Sequence, residues 1–153
     1  MEVKKNKECS ESCKANLTNY GLVVFRLVLG GFMLTHGWQK LSNFEMFSTA
    51  FPDPIGLGSS VSLSLIIFAE FFCSTLLILG LFTRLATIPL MIGMGVAVFV
   101  IHANDPFATK ELPLLYLISY IGILLTGAGK YSVDYLLKDF YSSICAKCCK
   151  TKK

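Results

Sequence analysis

Four long apolar runs, Tyr20 to Trp38, Val61 to Leu81, Leu85 to Ile101 and Leu112 to Ala128, leave this chain few ways to fold. Each comes close to the roughly 20 residues that a helix needs to cross the hydrocarbon core of a bilayer. In lipid every backbone N–H and C=O must be satisfied within its own segment, so each run is predicted to be an α-helix. A soluble bundle would have to cover these runs with polar surface, and the chain is 54% hydrophobic and only 16% charged. The predicted fold class is all-α, a bundle of four transmembrane helices.

The flanking charges give an orientation. The N-terminal arm, the turn at Arg84 and the C-terminal tail hold eleven Lys and Arg residues, whereas the opposite side has only Lys40 and Lys110. By the positive-inside rule both termini face the cytoplasm of a bacterial inner membrane. The first run carries Arg26 and no small-residue cleavage pattern, so it reads as a permanent helix and not as a signal peptide. The expected organisation is an N-terminal arm over 1–19, a membrane domain over 20–130, and an interfacial helix with a Cys- and Lys-rich tail over 131–153. In that last segment Val133, Leu136, Leu137, Phe140 and Ile144 recur at helical spacing, as in an amphipathic helix on the inner leaflet. The segment SNFEMFSTAFPDPIGLGSS (42–60) reads as an outer loop, either a lid over the bundle or a linker with aromatic anchors. HANDPFATKELP (102–113) reads as a second outer loop, with Pro113 in the first turn of the fourth helix. GKYS (129–132) lacks the earlier Gly of a phosphate loop, because position 124 is Leu.

Glu70, within LIIFAEFFCSTLL, stands out. A charge at the bilayer centre costs about 2.5–3.5 kcal/mol on insertion scales and normally faces a partner inside the bundle. The only cation inside an apolar run is Arg26, so a buried Arg26/Glu70 ion pair is expected; a protonated Glu70 is the alternative. Helical spacing aligns Arg26, Gly30, Met33, Gly37 and Lys40 on one stripe of the first helix. It also aligns Ala69, Glu70, Cys73 and Ser74 on the second, Met91, Gly95, Val98 and His102 on the third, and Tyr116, Ser119, Tyr120 and Ile123 on the fourth.

At the outer ends, His36, Lys40, His102, Glu111, Tyr116 and Tyr120 are candidates for one pocket that holds a quinone-type carbonyl and exchanges protons with it. The catalytic candidates are Glu70, His36 and His102. Two His and one Glu, from three separate segments, lack the spacing that would mark a metal site. Cys9 and Cys13, with Cys145, Cys148 and Cys149, fall on the side read as reducing; free thiols are the default there, and a zinc or iron–sulfur site is the weaker reading.

With FRLVLGGFMLTHGWQKL, AEFFCSTLLILGLFTRLA, His102 with Glu111, and GAGKYSVD in this order and spacing, the chain resembles the DoxX family of small four-helix membrane proteins from about Tyr20 to Leu137. The resemblance implies a four-helix bundle and carries Arg26, His36, Gly37, Lys40, Glu70, Gly80, Arg84, Gly127, Gly129 and Asp134 onto this chain. Some relatives are subunits of a thiosulfate:quinone oxidoreductase, and others associate with membrane oxidoreductase or thiol-stress complexes. The Cys-rich tails fall outside the family pattern. The expected function is thus a subunit or partner of a quinone-linked membrane redox system, with quinone as the one possible cofactor. A non-enzymatic scaffold or assembly subunit is the rival. A small-solute transporter is a third reading, disfavoured by the lack of an inverted repeat. Among partners, the bilayer is required, a redox protein and a second copy of the chain are open, and nothing points to nucleic acid.

Overall fold

A computed structural model describes residues 2–54 and 56–138, with side chains from Asn16 onward. The described residues contain helices and no strand. Helix α1 (Glu2–Ser42) is followed by a short α2 (Phe44–Ser48), then α3 (Ser59–Leu79), α4 (Thr83–Ile101), α5 (Phe107–Thr126) and a helical turn, α6, over 133–138. Four stretches are long and apolar enough to cross a membrane: Asn16–Ser42 of α1, and all of α3, α4 and α5. Their outer surfaces remain apolar, with Phe32, Phe72, Ile92, Phe99, Ile118 and Leu125 all exposed. Such a continuous belt suits acyl chains and would be an aggregation hazard in water. The core is assembled from all four spans: Met33 from α1, Cys73 and Leu77 from α3, Leu90 and Met94 from α4, and Tyr120 and Ile123 from α5.

Glycines set how α1 and α3 meet. A Cβ at Gly37 would fall 2.7 Å from the backbone nitrogen of Phe71, and one at Gly30 would fall 2.6 Å from the Ile78 side chain. Only a hydrogen at these positions lets the two backbones approach so closely. This antiparallel register places Lys40 level with the middle of α3, and Arg26 level with its end at Gly80. The two ends of the molecule are named here for those cations. The Lys40 end carries the 43–58 segment and the 102–106 turn; the Arg26 end carries the Gly80 turn and residues 127–138.

Two spans are not uniform α-helices. Phe68–Cys73 in α3 and Ala97–Ile101 in α4 are π-helical, and the amide of His102 donates to the carbonyl of Ala97 five residues back, at 3.0 Å. A π turn holds one more residue than an α turn and rotates everything beyond it. This overturns one expected stripe. On α1, α3 and α5 the aligned residues do face inward, but on α4 the buried line is Leu90, Met94 and Val98, not Met91, Gly95 and Val98. Counting back from His102 at α-helical spacing ignores the extra residue. Pro113 also lies inside α5 and not at its start, because the helix begins after Pro106, with Thr109 donating to the Pro106 carbonyl at 3.0 Å.

Candidate functional site

At the Lys40 end a cavity of 640 Å³ opens between α1, α3, α4 and the 43–58 segment. Its walls are apolar: Leu65, Ile66, Phe68 and Ala69 from α3, Pro89, Ile92 and Met94 from α4, and Phe51, Pro52 and Pro54 above them. Four polar side chains line it: Lys40, Ser62, Glu70 and His102. Lys40 Nζ donates to both oxygens of Glu70, at 2.6 Å to Oε1. The Lys40 side chain is 25% exposed and that of Glu70 only 5%. This is the ion pair that Glu70 requires, formed with Lys40 and not with Arg26. Lys40 and Arg26 lie fourteen residues apart on α1, about 21 Å along the axis and far beyond side-chain reach.

Both π turns belong to this cavity. One carries Glu70 and the other ends at His102, whose Nδ1 lies 2.7 Å from Asp105. In a π turn the wider backbone re-aims side chains, which is why such turns recur at functional positions. The segment above the cavity is held down by Asp53. Its carboxylate accepts from the amides of Gly56 at 3.0 Å, Leu57 at 3.2 Å and Gly58 at 2.6 Å, and from the Ser62 hydroxyl at 2.8 Å. Gly56 and Gly58 adopt φ of 74° and 99°, which only glycine takes freely. The sequence marks Pro52 and Pro54 only as part of a loop and does not single out Asp53, although PDPIGLG has the composition of a fixed turn.

The other expected pocket residues lie elsewhere. His36 is exposed on the outer face of α1, and Glu111 is exposed on α5. Tyr116 and Tyr120 stack on each other at 6.0 Å in the bundle core. The Tyr120 phenol is buried with no hydrogen-bond partner among the described residues, within electrostatic reach of Glu70. No group of three His, Cys, Asp or Glu side chains gathers among the described residues. Cys145, Cys148 and Cys149, with Phe140 and Ile144 of the expected interfacial helix, lie outside the described residues, as do the side chains of Cys9 and Cys13.

At the Arg26 end, Arg26 is 2% exposed and donates to the carbonyls of Ala128 and of Tyr131, the latter at 3.1 Å. Gly80 ends α3 in the left-handed conformation, with the amide of Leu81 bonded to the carbonyl of Leu76 at 3.0 Å. A Cβ on Gly80 would fall 2.8 Å from Arg26 Nη1. Asp134 reaches across and caps α4, accepting from the amides of Phe82 at 2.7 Å and Thr83 at 2.9 Å. Tyr20 stacks on Tyr131 at 4.8 Å, and a side-chain hydrogen bond between the two pushes the Tyr131 phenol above its usual range. GAGKYSVD is therefore a clasp that closes α1, α3, α4 and α5 onto one another.

Four spans, a lipid-compatible surface and a polar site inside the apolar zone define a multi-pass helical membrane protein. The DoxX family model matches residues 21–103, and the chain belongs to the DoxX family. Two uncharacterized proteins of Haemophilus influenzae are similar to it. One is 33% identical over 126 residues, covering 75% of this chain and 89% of the relative; the other is 29% identical over 128 residues, covering 78% and 85%. No solved structure matches the chain.

Proposed function

We propose that this DoxX protein holds a quinone-type ligand in the Lys40 cavity and serves as a subunit or partner of a quinone-linked redox system in the bacterial inner membrane, with the Lys40 end facing outward. The observation that carries this reading is the Lys40–Glu70 pair on the wall of an otherwise apolar cavity. A flat apolar ring with carbonyl oxygens matches such a lining: the ring lies against Phe68, Ile92 and Met94, and an oxygen accepts from the ammonium. Lys has three donors, and Glu70 supplies two acceptor oxygens, which leaves a donor for the ligand. Reduction of a quinone to its quinol takes two electrons and two protons. In this reading the electrons come from a redox partner, and Glu70 and His102 on the cavity wall relay the protons.

The test is purification in mild detergent, followed by extraction and mass spectrometry of bound small molecules. Quinone at near-stoichiometric amounts is expected, and it should be lost from Lys40→Met and Glu70→Gln variants that keep their helix content. A stable protein partner with no quinone would favour the scaffold reading instead.

A further inference from the structure

A second cavity, of 1020 Å³, opens at the Arg26 end and plays no part in the proposed quinone site. Its charged lining is Arg84, Lys130, Lys138 and Asp134. The carboxylate is already held by the amides of Phe82 and Thr83, and it also feels the charge of Arg26 behind it. All three cations line the cavity, and Arg84 lies over Gly127, its Nε and Nη2 each 3.6 Å from where a Cβ would stand there. Beside the cations, the apolar side chains of Phe82 and Leu85 also line the cavity and are 58% and 66% exposed.

We infer that this cavity binds the headgroup phosphate of an anionic phospholipid, with its acyl chains against Phe82 and Leu85. Arg84 and Lys130 hold the phosphate oxygens, and the Lys138 ammonium donates to the hydroxyls of the headgroup. A free phosphate would satisfy the cations but not the adjoining apolar wall. A zwitterionic lipid would satisfy the wall but place its own cation against three others.

The test uses the full chain in detergent, stripped of lipid, titrated with dihexanoyl phosphatidylglycerol, dihexanoyl phosphatidylcholine or inorganic phosphate, with binding read by native mass spectrometry. Phosphatidylglycerol should bind at least about fivefold tighter than phosphatidylcholine, and phosphate should not displace it. Arg84→Gln and Lys130→Gln should each weaken phosphatidylglycerol about fivefold, the effect of one basic residue at a lipid surface. Lys110→Gln, at the other end, should change nothing. Equal binding of the two lipids, displacement by inorganic phosphate, or an equal loss from Lys110→Gln would each overturn the assignment. The comparison of headgroups on the unaltered protein decides the matter even if a variant fails to fold.

Discussion

Helix α1 carries two cations along one inward stripe, and the bundle treats them in opposite ways. Arg26 meets backbone acceptors: it donates to the carbonyls of Ala128 and Tyr131, in a segment just past the C-terminal end of α5. Such carbonyls carry partial negative charge, are fixed in place and favour a cation. Lys40 instead meets a side-chain carboxylate at the edge of a cavity. The planar guanidinium fork suits rigid acceptors, while the ammonium on its flexible stem suits a partner that can be shared with a ligand. One end of the molecule is thus a clasp, and the other keeps polar groups available for chemistry.

The largest expected effect tests the clasp. Arg26→Met removes two part-buried charge-assisted hydrogen bonds, a loss of about 3–6 kcal/mol at roughly 1.5–3 kcal/mol per bond. Thermal unfolding followed by circular dichroism in detergent should show a large fall in midpoint. A change within error would mean that the clasp is held by Asp134 and the glycine turns alone.

At the Lys40 end the cost should be smaller. Glu70→Ala strands an ammonium that is already a quarter exposed, so the loss should fall to about 2–3 kcal/mol, below the roughly 3–5 kcal/mol of a fully buried pair. Adding Lys40→Met should restore part of it. In double-mutant cycles Lys40 and Glu70 should couple by about 0.5–3 kcal/mol, whereas Arg26 and Glu70 should be additive. Coupling between Arg26 and Glu70 would erase the distinction between the two ends.

Much of the fold was legible because lipid leaves few alternatives. Apolar run length found the four spans to within a few residues at most ends, and the small and polar residues on α1, α3 and α5 do face inward. The partner of Glu70 was not legible. Composition singles out Arg26 as the only cation inside an apolar run, but pairing depends on the register between α1 and α3, which Gly37 and Gly30 fix by contact. The pocket was half legible for a related reason. Lys40 and His102 reach it, whereas His36 points outward and Tyr116 and Tyr120 are drawn into the core as large apolar surfaces. Whether a tyrosine near a helix end packs or lines a pocket depends on its neighbours' volumes, and α-helical spacing alone does not record those or a π turn.

The contact at Gly37 offers a sharper test of that register. Gly37→Ala would push a methyl group to 2.7 Å from Phe71 nitrogen and 2.8 Å from the Glu70 carbonyl carbon, both backbone atoms that cannot swing aside. Overpacking of this kind costs about 1–3 kcal/mol. It should also shift the π turn and lower ligand retention. Gly31→Ala, where nothing lies within 4 Å, should be neutral or slightly stabilising, since alanine is favoured over glycine in a helix by about 1 kcal/mol. Equal effects at the two positions would show that α1 and α3 do not meet at Gly37.

The smallest expected effect separates the two histidines. His102 lines the cavity at the end of a π turn and is paired with Asp105, while His36 sits exposed on the outer face of α1. Neither contributes to the buried core, so His102→Ala and His36→Ala should each leave the unfolding midpoint within about 0.5 kcal/mol of the parent, as for surface substitutions generally. Ligand retention should distinguish them. His102→Ala removes a polar group from the cavity wall and should weaken quinone retention severalfold, since one hydrogen bond contributes about 0.5–1.5 kcal/mol. His36→Ala should leave retention unchanged. The reverse result would move the site to the outer face of α1, where a ligand would be shared with a neighbouring protein in the membrane and not enclosed by this chain.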